Sequence, residues 1–265
     1  MRKYPVGIQT FERIIREGYV YVDKTDLVWR LAHYAPYVFM SRPRRFGKSL
    51  LTSTLEAYFQ GDKQLFEGLR IMPLEKEWTR YPVLHIDLSV AKGHDIAEEL
   101  LDTLMWMMEP LASIYGSKES ETTPGKLLTG LIHRAQEKTG RQVAVIIDEY
   151  DAPLLDVLHD QATLDAMRKV MQEFYVPLKA NEAHIKFCFI TGITKFSQLS
   201  IFSTINNLKN VSLLPKFATL CGFTEREVKT VFKDDIQAMA GVFQLTPEEM
   251  YAKIKFKYDG YHFAG

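Results

Sequence analysis

"YVFMSRPRRFGKSLL", Tyr37 to Leu51, joins a short apolar run to a turn and then to a helix-forming stretch. A strand, a tight turn and a helix in that order form the frame of a phosphate-binding loop. Backbone N–H groups of the turn converge on the anion, and the helix N-terminus faces it. Lysine adds a point charge at the outer phosphates, and the next hydroxyl meets Mg²⁺. Gly47, Lys48 and Ser49 supply the second half of the pattern G-x-x-x-x-G-K-[ST], but Arg42 stands where the first glycine belongs. Pro43 has no N–H to donate, so the early turn must differ from the usual one. Arg42, Arg44 and Arg45 bring guanidinium groups that fork well onto phosphate oxygens. Alone, G-K-S also reads as a chance match on a solvated basic loop.

The second stretch is "VAVIIDEYDAP", Val143 to Pro153, about a hundred residues downstream. Phosphoryl transfer needs a carboxylate at a strand tip to hold the Mg²⁺ shell and a second group to orient the attacking water. Asp148 fits the first role and Glu149 the second. In a parallel sheet, loop and acidic pair both leave from the carboxyl ends of strands, the edge where ligands sit. Asp87, after the apolar run of "VLHIDLS", competes for the metal role but lacks a second carboxylate; capping a neighbouring turn suits it better. "IKFCFIT" ends at Thr191-Gly192, with Thr194 and Lys195 just beyond. Two readings of Thr191 stand: a catalytic group that senses the γ-phosphate or holds water, and an ordinary turn former.

Around these motifs the elements alternate. Strands are expected at 37–41, 83–89, 143–147 and 185–191, with "FATLCGF" (217–223) as a fifth. Helices are expected over 9–17, from Asp23 to Leu31, 48–59, 95–113, 125–138 and 162–179, with a capping-box start at Thr224. Tyr115 to Gly125 reads as a loop. The pattern predicts an α/β fold, a P-loop-type parallel sheet of about five strands flanked by helices, because strands buried on both faces read as unbroken apolar runs. Residues 1–223, including an N-terminal helical segment 1–35, form the expected core domain, and 224–265 a small helical lid.

Hydrophobic residues at 46% and charged residues at 25% describe an ordinary globular chain, and 33 basic against 33 acidic residues give no overall pull toward nucleic acid or an anionic membrane. No stretch approaches the ~18 apolar residues of a membrane helix. The start is too polar for a signal peptide, so the expected location is the cytoplasm. Cys188 and Cys221 lack any ligand or redox spacing and read as reduced, buried thiols.

Together "GIQTFERIIREGYVYVDKT", "FMSRPRRFGKSLL", "VIIDEYDAPL", "ITGITKFS", "IFSTINNL", "ATLCGFTEREV" and "KYDGYHF" resemble the AAA-ATPase-like family of bacterial P-loop proteins, over essentially the whole chain. The resemblance implies ATP as substrate and a nucleotide site at Arg42, Arg44, Arg45, Phe46, Gly47, Lys48, Ser49 and Leu50. It implies Mg²⁺ held by Ser49 and Asp148, with Glu149 activating water. It makes the Arg42 variant a family trait and sets the fourth strand between the loop strand and the acidic strand. Adenine would lie near residues 6–11, a segment that reads equally as a helical brace. The family often carries a nuclease-like C-terminal domain, so the resemblance implies a further domain beyond Gly265. A homo-oligomer is also implied, with Arg226, Arg134 or Arg141 reaching a neighbour's site. A non-hydrolysing regulatory or assembly module is the alternative reading, and nucleic-acid binding through Arg42, Arg44 and Arg45 a third.

Overall fold

The computed structural model describes residues 2–93, 96–194, 205, 207–261 and 263. Among these residues five strands form one sheet: β1 (Tyr37–Ser41), β2 (Val83–Asp87), β3 (Val143–Asp148), β4 (Ile185–Gly192) and β5 (Lys209–Asn210). The order is β2-β3-β4-β1-β5, and every neighbouring pair is parallel. β4 therefore lies between the loop strand and the acidic strand, as the resemblance implied.

The helices follow in chain order as α1 (Phe11–Arg16), α2 (Thr25–Ala32), α3 (Lys48–Phe59), α4 (Ala97–Tyr115), α5 (Pro124–Thr139), α6 (Ala152–Leu155) and α7 (Gln161–Ala180). Strand residues divide by parity between two cores. Tyr37, Phe39, Val143, Val145 and Ile147 face α4, α5 and α7. Val38, Met40, Ala144 and Ile146 face α1, α2 and α3. Val143 to Ile147 are 0% exposed, and each large apolar side chain so buried contributes roughly 1.5–3 kcal/mol. A register shift between β3 and β4 pairs Val143 with Ile185 but Ala144 with Phe187. The extra residue, exposed Lys186, reverses parity along β4 and sends Phe187 and Phe189 to the α3 side.

The helix signals act as read. Asp23 Oδ1 accepts from the Thr25 N–H at 2.9 Å at the start of α2. Gly61, left-handed at φ 72°, follows α3. Residues 116–123 form the expected connection between α4 and α5.

The fifth strand is a correction. β5 is the two-residue Lys209–Asn210 beside β1, while 217–223 turns instead of pairing. Phe217, Leu220 and Cys221 are buried in the α3-side core. The segment folds back on itself, with Leu220 N–H donating to Phe217 O at 3.1 Å and Gly222 N–H to Phe46 O at 3.0 Å. Apolar content here reflects packing around the phosphate-type loop, which a strand pattern does not distinguish from sheet pairing.

Past Thr224 come α8 (Glu225–Val231), α9 (Lys233–Val242) and α10 (Pro247–Tyr258). They share a small core of Ile236, Ala240 and Met250, and capping boxes at Thr224 and Thr246 open α8 and α10. Lys24 ties the group to the rest through Glu227 Oε1 at 2.9 Å, a nearly buried pair. No described helix is long and apolar enough to cross a membrane.

Both cysteines are buried. Burial pushes the Cys221 thiol up to about 11 and Cys188 higher still. Since the thiolate is the reactive form, neither is expected to react with a thiol reagent at pH 8 until the protein is unfolded. Rapid labelling of the native protein would contradict this packing.

Candidate functional site

The loop between β1 and α3 answers for its missing glycine. Arg42 extends the ladder, its N–H donating to Gly192 O at 3.1 Å. Left-handed backbone falls at Arg45 (φ 68°) and Gly47 (φ 86°), not at 42. Glycine is the ready occupant of such a conformation, so it is needed at 47, immediately before the first helical residue. The bend simply comes later than in the common pattern.

Lys48 opens α3 yet is only 4% exposed. Its Nζ lies 3.3 Å from Glu149 Oε1 and 3.4 Å from Pro43 O. Loop and acidic pair thus meet at the carboxyl edge of the sheet. Asp148 closes the group: Thr52 Oγ1 donates to its Oδ2 at 3.4 Å, and the Glu149 N–H donates to Oδ1 at 2.9 Å. Burial raises the Asp148 carboxyl above the ordinary range, assisted by the charge of Asp87, while Ser49, the Glu149 N–H and Lys48 pull the other way. Asp87 is its register partner on β2 and, as expected, caps a turn by accepting from the Ser89 N–H at 2.9 Å.

Other expected site residues sit elsewhere. The Arg42 side chain is buried. Its Nη1 donates to Ser41 O and Ser212 O at 2.9 and 2.7 Å, its Nη2 to Phe217 O at 3.3 Å, and Phe263 stacks over it at 4.2 Å. Three carbonyls and a ring make it a brace under the loop. Thr191 is fully buried and its hydroxyl donates to Met40 O at 2.7 Å, stitching β4 to β1. Phe46 packs edge-on against Tyr261 at 4.7 Å and Phe263 at 5.3 Å. Leu50 is half-buried against the α3-side core, whereas Arg44 and Arg45 are exposed. Arg134 donates to the Glu121 carboxylate through Nη1 and Nη2, at 2.5 and 2.9 Å. Arg226 and Arg141 are exposed. Phe11 N–H donates to Ser53 Oγ at 2.9 Å, so α1 braces α3. Lys195 lies outside the described residues.

Two residues escaped the sequence reading. Thr52 stands four after Lys48, one helical turn on and hence on the same face, and reaches Asp148. Asp151, the third carboxylate of Asp148-Glu149-Tyr150-Asp151, is fully buried and accepts from the Ile193 and Thr194 N–H groups at 3.0 and 2.6 Å.

The donor set suits a hard divalent cation. Mg²⁺ takes oxygen ligands, one or two of them carboxylates, and here a buried carboxylate and the Thr52 hydroxyl stand beside Glu149, whose buried Oε2 has no hydrogen-bond partner among the described residues. A buried carboxylate whose proton is held too tightly destabilises the fold once ionised. The folded value of Asp148 lies above the roughly 3.9 of an unfolded chain. The cost is therefore absent below that pH and grows as pH rises through the folded value. Asp148→Asn is expected to raise the melting temperature of the nucleotide-free protein at pH 7, with the gain vanishing near pH 4. Thermal denaturation at the two pH values checks this, and a lower melting temperature at pH 7 would contradict it.

The chain matches the family described as Predicted AAA-ATPase over residues 5–202. It is 35% identical over 264 residues to an "Uncharacterized protein in vnfD 5'region" of Azotobacter chroococcum mcd 1, a match covering 94% of this chain. The chain spans 50% of the length of that relative. With a five-stranded parallel sheet, a glycine-lysine-serine loop and an acidic strand brought together at one edge, the chain belongs to the predicted AAA-ATPase family.

Proposed function

We propose that the protein binds ATP at the Gly47–Ser49 loop and hydrolyses it slowly with Mg²⁺, serving as a switch or motor for a partner or a further C-terminal domain. One observation carries this reading: Lys48 Nζ stands 3.3 Å from Glu149 Oε1, with Asp148 and Ser49 alongside. Catalysis of phosphoryl transfer is almost entirely positioning and charge stabilisation, and these are the groups it uses. The loop N–H groups and Lys48 would receive the outer phosphates, with exposed Arg44 and Arg45 at the rim. Ser49 and Asp148 would hold Mg²⁺, which neutralises charge on the phosphate oxygens when bound.

Glu149 gains its role by exchange. Lys48 and Glu149 have side chains only 3% and 16% exposed, so each neutralises the other in a nearly dry setting. A phosphate oxygen arriving at Lys48 replaces the glutamate as partner, and the freed carboxylate can accept a proton from water aligned with the γ-phosphate. Binding and activation of the base are then one event. A second reading rests on the same pair: a lysine already neutralised by glutamate also suits a scaffold that holds nucleotide without turnover, for regulation or assembly.

Lys48→Ala is expected to abolish ATP binding in a calorimetric titration. Glu149→Gln is expected to keep ATP affinity within a few-fold while ADP release falls at least about 100-fold. Unchanged turnover in Glu149→Gln would remove the assigned base. Wild-type protein that binds ATP and releases no ADP would favour the scaffold.

A further inference from the structure

Asp151 is a buried carboxylate with no part in the chemistry above, and its surroundings are unusual for its position. It occupies the residue before α6, where an aspartate ordinarily caps the helix. Its side chain makes no such cap. It turns instead to the exit of β4. Oδ2 accepts from the N–H groups of Ile193 and Thr194 at 3.0 and 2.6 Å and from the Thr194 hydroxyl, while Oδ1 accepts from Ile193 N–H at 3.3 Å. The neighbouring residue makes the same connection. Tyr150 N–H donates to Thr191 O at 2.9 Å and its hydroxyl to Thr194 O at 3.3 Å. Gly192 leaves the room for this: a Cβ there would lie 2.4 Å from Asp151 Oδ1 and 2.4 Å from Tyr150 Cδ1.

The residue two places before Asp151 is Glu149, whose φ of 52° is left-handed. For a side chain other than glycine such backbone is strained and persists only where the surroundings over-determine it. The ties of Tyr150 and Asp151 to β4 supply that constraint on one side, and the Asp148 cap on the Glu149 N–H on the other. β4 is itself stitched to β1 through Thr191 and Met40. The exits of β1, β4 and β3 are thereby fastened together, with Glu149 at the join.

We propose that Asp151 is a positioning residue: by clamping the β4 exit at Ile193 and Thr194 it holds the turn that aims the Glu149 carboxylate. This rests on the hydrolytic reading above. Asp151 acts through hydrogen-bond acceptance and touches neither nucleotide nor water. Asparagine can keep the Oδ2 bonds through its amide oxygen; alanine keeps none and leaves two half-buried N–H groups without this acceptor.

The test is steady-state ATPase kinetics with calorimetric ATP binding on the whole chain, for wild type, Asp151→Ala, Asp151→Asn and Thr194→Val, with Glu149→Gln added to each. Asp151→Ala is expected to lower kcat about 10- to 100-fold with ATP Kd within about threefold, since a small misplacement of a catalytic group costs that much. Asp151→Asn should recover most of the loss. Glu149→Gln should cost far less in the Asp151→Ala background than in wild type, because residues acting as a unit are not additive. If Asp151→Ala does not fold, Thr194→Val decides: a several-fold fall in kcat at unchanged Kd supports the clamp. Turnover unchanged in Thr194→Val and in any folded Asp151→Ala overturns the proposal, as does a fall in kcat matched by an equal loss of binding. Wild type that turns over no ATP overturns the hydrolytic reading, and the clamp with it.

Discussion

The 3.3 Å approach of Lys48 Nζ to Glu149 Oε1 is the constraint on which the rest depends. Two groups a hundred residues apart in sequence can meet this closely only if their strands end at one edge at one height. The parallel order β3-β4-β1 achieves that with a single intervening strand. Every buried feature of the central sheet serves the alignment. The unbroken apolar run of β3 lets helices cover both faces, and the β4 irregularity at Lys186 shifts the register so that Phe187 and Phe189 face the α3 side. The hydroxyl of Thr191 locks β4 to β1 beneath the loop.

Electrostatics and stability pull against each other at this edge. Asp148 is ionised at a cost, Glu149 keeps a buried oxygen without a partner, and Lys48 is almost out of solvent. Such groups persist where charge arrives with a ligand. The arginine brace follows a different logic. Arg42 faces three carbonyls and an aromatic ring, so it stabilises the loop from below and leaves the anion-facing side to Gly47 and Lys48. Phe46 adds a second anchor through Tyr261 and Phe263, connecting the loop to residues beyond the last helix.

How much of this was legible in the sequence depends on whether a signal was local. β1 and β3 could be read because strands buried on both faces show unbroken apolar runs, β4 because only Lys186 interrupts its run, and α3 because Gly47 precedes it. The position of the acidic pair at the sheet edge follows from strand order, which parallel topology restricts. "FATLCGF" misled because burial alone has no period; the segment packs around Arg42 and Phe46 without pairing. Arg42 could not be assigned locally, since its acceptors at Ser212 and Phe217 come from distant chain. Thr191 looked like a strand-tip sensor, but its hydroxyl found a carbonyl on the adjacent strand. Thr52 carried a readable signal, one turn after Lys48, and Asp151 another, as the third carboxylate of its run.

The most direct measurement replaces Mg²⁺ with paramagnetic Mn²⁺ and records the pulsed electron–nuclear spectrum of the protein with a slowly hydrolysed ATP analogue. A shared cleft predicts phosphorus coupling from nucleotide phosphate to the bound Mn²⁺, and loss of the bound ion in Ser49→Ala and Asp148→Asn. Mn²⁺ that binds without nucleotide coupling, or that is indifferent to both substitutions, would contradict the joining of loop and acidic strand at a single metal–triphosphate site.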